Sequence, residues 1–173
     1  MKRSDIKEIP EYFEYFLNLN EDVEFLEAFD ISMKQINDID ITQLNRIGFK
    51  TYEEGKWSVH KILQHIIDWE RIWCYRTLIF AREEGTIPEG LDQEIMGKNS
   101  NADELSIEQL INELRIVRQS TIMMFESFNK KILETNCKFY KYEMSIFAMG
   151  YTITGHQIHH FNLIKEKYIP LDK

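Results

Sequence analysis

Cysteine is nearly absent from this chain. Only Cys74 and Cys137 occur in 173 residues, and no CxxC spacing joins them. That excludes a disulfide-stapled scaffold and a cysteine zinc knuckle, and leaves two thiols of the kind a reducing cytoplasm keeps free. Each is expected to be buried and inert rather than nucleophilic. Three prolines and seven glycines are too few for a fold rich in tight strand turns, so their scarcity favours helices. Basic runs are missing too, and the formal charge of -8 argues against a nucleic-acid-binding surface. No stretch approaches the roughly 18 consecutive apolar residues of a membrane span, and the N-terminus lacks the apolar core of a signal peptide. GxSxG elbows and phosphate-cradling glycine loops are also absent, which removes serine-hydrolase and nucleotide-binding readings. The expectation is one cytoplasmic domain over residues 1–173, long enough to bury its own core.

Amphipathic helical pattern is what the chain does have. After Pro10 comes an aromatic stretch, EYFEYFLNL, and then EDVEFLEAFDISMKQIN, where Leu26, Phe29, Met33 and Ile36 mark one helical face. A long helix starts at Ser58 as N-cap and stops near Gly85. Its two apolar stripes, Val59-Leu63-Ile66-Trp73-Phe80 and Ile62-Trp69-Ile72-Ile79, predict a central helix touching several neighbours. Residues 86–105 carry the turn formers and read as a long crossover. Ser106 and Gln109 have capping-box spacing at the start of a third helix running through Leu110, Leu114, Val117, Thr121 and Phe128. A last helix runs from near Ser145 to about Tyr168, ahead of Pro170. Residues 136–144 fit either an irregular loop or a short extended piece. The fold class is therefore all-α, a four-helix bundle.

Three of five histidines fall in GHQIHH, residues 155–160. Ile146, Met149, Ile153, His156, His160 and Leu163 share one face of the last helix, so His156 and His160 point inward, one turn apart. His159 falls with Thr152, Gly155, Asn162 and Glu166 on a polar side and reads as a rim residue. Two imidazoles four residues apart can converge on one ion, or can be a partly buried, hydrogen-bonded pair. His65 lies on an inward stripe of the second long helix, whereas His60, in the first turn, reads as solvated. Three inward nitrogen ligands with a fourth position open to water form a catalytic coordination pattern.

The string EGKWSVHKILQHIIDWERIWCYRTLIFAR, residues 54–82, resembles the Trp-Ser-initiated, His-bearing helix of DinB-like proteins. IPEGLDQE through LSIEQLINELRIVRQST is similar to that family's crossover and third helix, and ITGHQIHHFNLIKEKYI to its HxxxH-bearing last helix. The resemblance implies a DinB/YfiT-type bundle with an up-down-down-up course and a long crossover. It also implies zinc or nickel held by three histidines, matching His65, His156 and His160 here. Members include thiol S-transferases using bacillithiol or mycothiol, a mycothiol-dependent maleylpyruvate isomerase, and proteins described as metal-dependent hydrolases; many are homodimers. The expected function is metal-dependent thiol S-transfer on a small molecule, with a low-molecular-weight thiol as co-substrate. Alternatives are a metal-dependent hydrolase and a non-catalytic stress-response or binding protein of the same fold.

Other residues carry competing readings. Asp68 is either a base or ligand support near His65, or a solvated neighbour one turn on. Arg118 either binds an anionic ligand group or joins surface pairs with Glu113 or Glu126. Gln157 and Asn162 flank the ligand pair and receive no role. Trp57, Trp69 and Trp73 read as packing. The second stripe of the last helix (Phe147, Tyr151, Ile158, Phe161, Tyr168) is expected to pack within the chain, with a dimer contact as the other possibility.

Overall fold

The computed structural model describes residues 1–172. Among these residues eight α-helices and one hairpin follow in order: α1 (Glu11–Asn18), α2 (Phe25–Asn37), α3 (Ile41–Ile47), α4 (Val59–Ala81), α5 (Gln93–Asn99), α6 (Ile107–Glu126), α7 (Lys130–Leu133), β1 (Asn136–Phe139), β2 (Tyr142–Ser145) and α8 (Ile146–Leu163). The predicted caps at Ser58 and Ser106 are in place, and Ser145 caps α8 in the same way. Ser58 Oγ accepts from Lys61 N, Ser106 and Gln109 close their box reciprocally, and Ser145 Oγ accepts from Ala148 N.

Side-chain contacts define the course of the bundle. Pairs Ser58–Asp103, Glu70–Arg118 and Cys74–Thr121 run in the same sense, so α4 and α6 are parallel. His65–His156 and Thr77–Met149 run in opposite senses, making α8 antiparallel to α4. Ser32 meets Gln157 while Phe25 meets Tyr151, so α2 is parallel to α8. The result is an up-down-down-up four-helix bundle of α2, α4, α6 and α8. Joining two parallel helices demands a connection as long as the helix itself, and residues 82–106 supply it, with α5 folded inside.

The ambiguous segment is a two-stranded antiparallel hairpin pairing Asn136 with Ser145 and Phe139 with Tyr142. At its tip Tyr140 takes φ +49°, a conformation that usually selects glycine. Its N–H donates to Pro88 O at 2.8 Å, and its ring fills the space beside Gly90, so the crossover and hairpin brace each other.

Two apolar clusters fill the bundle, one aromatic around Phe25, Phe29 and Phe125, the other aliphatic around Ile36, Leu63 and Leu114. Between them lies a polar layer. Arg118 gives Nε and Nη2 to the two oxygens of Glu70 at 2.8 and 2.9 Å, and Nη1 to Ser32 Oγ. Ser32 Oγ donates to Gln157 Oε1 at 2.8 Å, and Gln157 Nε2 returns to Ser32 O at 3.1 Å. One buried network thus ties all four bundle helices. Arg118 is fully buried, so it is neither a ligand-binding nor a surface arginine, and Gln157, which received no role, is buried beside it. On α2 the buried face is Phe25, Phe29, Ser32 and Ile36; Leu26 is exposed.

α8 is buried on every side from Ile146 to Gln157. Its supposed polar side at Thr152 and Gly155 is covered by α1. The approach is close enough that a Cβ on Gly155 would stand 1.9 Å from Phe16 O. Asn20 locks it, its Nδ2 donating to Tyr151 O at 2.9 Å and its Oδ1 accepting from Thr154 at 2.7 Å. Phe147, Tyr151 and Tyr168 of the second stripe are buried within the chain. Among the described residues no helix is long and apolar enough to cross a membrane.

Candidate metal centre

His65 on α4 and the pair His156 and His160 on α8 meet because α4 and α8 are antiparallel neighbours. His156 Nε2 stands 3.1 Å from His65 Nε2 and 3.0 Å from His160 Nε2, and the donor atoms of all three lie within 4.8 Å of one another. The three residues are 7, 6 and 9 % exposed. Burial above all, then neighbouring positive charge, pushes His65 down to about 4, His160 to about 2 and His156 well below its ordinary value. Each is therefore a neutral imidazole near pH 7.

Hydrogen bonding alone leaves this cluster unsatisfied. His156 Nε2 has either one proton or one in-plane lone pair, and it faces two other Nε2 atoms. One cation accepting all three lone pairs satisfies all three Nε2 atoms. Two nitrogens bound to one ion at about 2.0–2.1 Å, with tetrahedral to right-angled spacing, stand about 2.8–3.4 Å apart, and the two separations from His156 fall inside that range. A divalent transition ion fits these residues.

The cluster forms one wall of a cavity of about 970 Å³. Trp73 sets its ring edge-on to His156 at 4.8 Å, Trp57 lies 5.0 Å from His65, and Phe16 lies 5.6 Å from His156. All three tryptophans line the cavity, so packing is not their whole role. The crossover and hairpin tip close its far end.

The remaining candidates fall elsewhere. His159 is half-buried on the cavity wall, where Nδ1 meets Tyr15 Oη at 3.0 Å. Asp68 accepts from Gln64 Nε2 at 2.9 Å and borders a second, small recess that His65 also lines, beside Gly97 and Ser100; partial burial raises its pKa. His60 is not solvated: it is 6 % exposed and stacks on Phe49 at 4.4 Å. Cys74 and Cys137 are both pushed up to about 12 by burial, which suits inert thiols. Glu70 and Arg76 were not foreseen as inward-facing. Their signal is position, since a charge at helical spacing from His65 and Trp73 on a central helix lies on the buried side.

The chain is thus a four-helix bundle in which a long crossover joins the parallel helices α4 and α6, and three histidines converge from α4 and α8. The chain belongs to the DinB superfamily, whose family model matches residues 30–164. Among solved structures it is similar to YfiT from Bacillus subtilis, described as a probable metal-dependent hydrolase with an unusual four-helix bundle topology. That likeness has a TM-score of 0.62 at 14% identity and covers 92% of this chain and 90% of YfiT. No curated protein matches the chain in sequence.

Proposed function

We propose that this chain is a metal-dependent enzyme in which His65, His156 and His160 hold a divalent transition metal, zinc or nickel. The observation that carries the reading is the convergence of three neutral imidazole nitrogens, 3.0 and 3.1 Å apart, on the wall of a large aromatic cavity. Held by these histidines, such an ion would lower the pKa of a bound water or thiol and so would supply a nucleophile near neutral pH. The protein's own part is arrangement. Trp57, Trp73 and Phe16 shield the histidines from bulk water and orient the rings. His159, on the cavity wall beside His160 and hydrogen-bonded outward to Tyr15, is placed to pass a proton to or from a ligand in the cavity.

The finer reading is thiol S-transfer to an electrophilic small molecule. Ligand pockets span about 300–1,000 Å³, and a cavity of about 970 Å³ has room for a thiol co-substrate and its acceptor together. Hydrolysis is the second reading, favoured by the description of Bacillus subtilis YfiT. The test combines metal analysis with turnover. Purified protein that neither carries a transition metal nor takes up added zinc or nickel sinks the metal reading. Turnover of an electrophile only when a thiol is supplied supports transfer; thiol-independent turnover of an ester or amide supports hydrolysis; a metal-loaded protein that does neither is a binding protein.

A further inference from the structure

Arg76 stands three helical turns beyond His65 on the same face of α4, past Trp69 and Trp73. It is 4 % exposed and lines the cavity. One Nη2 donates to Glu89 O at 3.0 Å, and the guanidinium carbon lies 4.9 Å from the Phe139 ring centre and 5.7 Å from that of Trp69. Its Nε has no partner, and among the described residues no carboxylate pairs with it. The other buried arginine, Arg118, is fully matched by Glu70. The same wall carries a second orphan, because Trp69 Nε1 is also buried without an acceptor. Glu89, Asp92 and Glu94 border the cavity but are exposed, and none of their carboxylates pairs with the guanidinium.

A buried guanidinium without a counter-charge is costly, and a neighbouring unsatisfied N–H adds to the cost. A carboxylate has two oxygens, each able to accept an N–H hydrogen bond, and is the counter-charge a guanidinium lacks here. The surrounding rings suit an aromatic or apolar body. His65 and Arg76 are separated by a helical rise of roughly 16 Å, which calls for an elongated ligand.

We propose that Arg76 and Trp69 form a subsite for the carboxylate of an aromatic acid whose opposite end reaches His65, His156 and His160. The inference rests on the metal-centre reading only for which end of the ligand reacts; the anion subsite stands on its own geometry.

The test compares 4-phenylbutyrate with 4-phenylbutyramide, a neutral probe of the same shape, by calorimetry and by the fluorescence of the cavity's tryptophans. Both zinc-loaded and chelator-treated protein are used. The wild type is expected to prefer the carboxylate by about tenfold or more, since a charge-assisted hydrogen bond is worth that much. Arg76→Gln abolishes the preference while zinc uptake stays intact, and Trp69→Phe reduces it. Arg82→Gln, an exposed arginine further along the chain, and Lys56→Gln, at the cavity border, leave it unchanged. Equal affinity of the wild type for both probes overturns the proposal. So does a preference that vanishes with the metal, which places the carboxylate on the ion, or one lost in Lys56→Gln, which places it at the mouth. Should Arg76→Gln fail to fold, Arg76→Lys and Trp69→Phe decide: an undiminished preference in both also overturns it. Failure of zinc uptake with an intact carboxylate preference counts against the metal centre alone.

Discussion

Arg118 on α6 grips Glu70 on α4 through two parallel hydrogen bonds, 2.8 and 2.9 Å long, with both side chains shut off from water. Removing one partner strands a buried charge. Arg118→Met or Glu70→Leu is therefore expected to cost about 3–5 kcal/mol, whereas the double replacement costs much less. Urea denaturation of the two single variants and the double variant measures this directly. Single variants as stable as the wild type would mean that the pair is solvated in solution.

The two neighbouring histidines of the last helix separate under mutation. His160→Ala removes one of three converging nitrogens and is expected to weaken zinc binding by more than the 10–100-fold that loss of a supporting residue typically costs. His159→Ala leaves the three converging nitrogens in place and binds zinc nearly as the wild type does. Competition against a chromophoric chelator reads both, and equal losses would contradict the assignment of faces.

Gly155 is irreplaceable for a steric reason. An added methyl meets backbone at 1.9 Å, and no rotamer change relieves a clash with backbone. Gly155→Ala is expected to lose about 1–3 kcal/mol or more and to loosen α1, seen as faster proteolysis within residues 11–18. Unchanged stability with α1 still protected would contradict the close approach.

Near the C-terminus, Arg46 and Gln43 donate to the Asp172 carboxylate and hold it down at about 2, below the ordinary 3.8. A depressed acid stabilises the fold above its unfolded pKa, and that contribution fades as pH drops from 3.8 through about 2. Arg46→Ala should move the Asp172 midpoint back up towards 3.8, as followed by carboxyl-carbon NMR. A midpoint that stays put would show that the tail is not anchored this way.

The bundle and the histidine cluster were legible because both follow from spacing. Caps at Ser58, Ser106 and Ser145 bracket the helices, and the inward positions of His65, His156 and His160 follow from helical period. Periodicity failed where burial is polar. Arg118, Glu70 and Gln157 look like surface residues until a partner from another helix satisfies them, and that partner is 48 residues from Arg118 in the case of Glu70. His60 looked solvated because nothing local announces that Phe49 will cover it. α8 did carry an unused signal: Ile146–Leu163 contains no Asp, Glu, Lys or Arg, and a stretch without formal charges suits burial on every side, as found from Ile146 to Gln157. The hairpin was ambiguous because Tyr140 holds a turn position normally marked by glycine.

The long crossover has a consequence for how such a protein can diversify. Two rigid bundle helices hold the histidines, while residues 89–94 and the hairpin tip, in segments linking the helices, close the other end of the cavity. Those segments can lengthen or change composition without shifting an imidazole. One reactive centre can thus be inherited intact while its clientele is rewritten loop by loop.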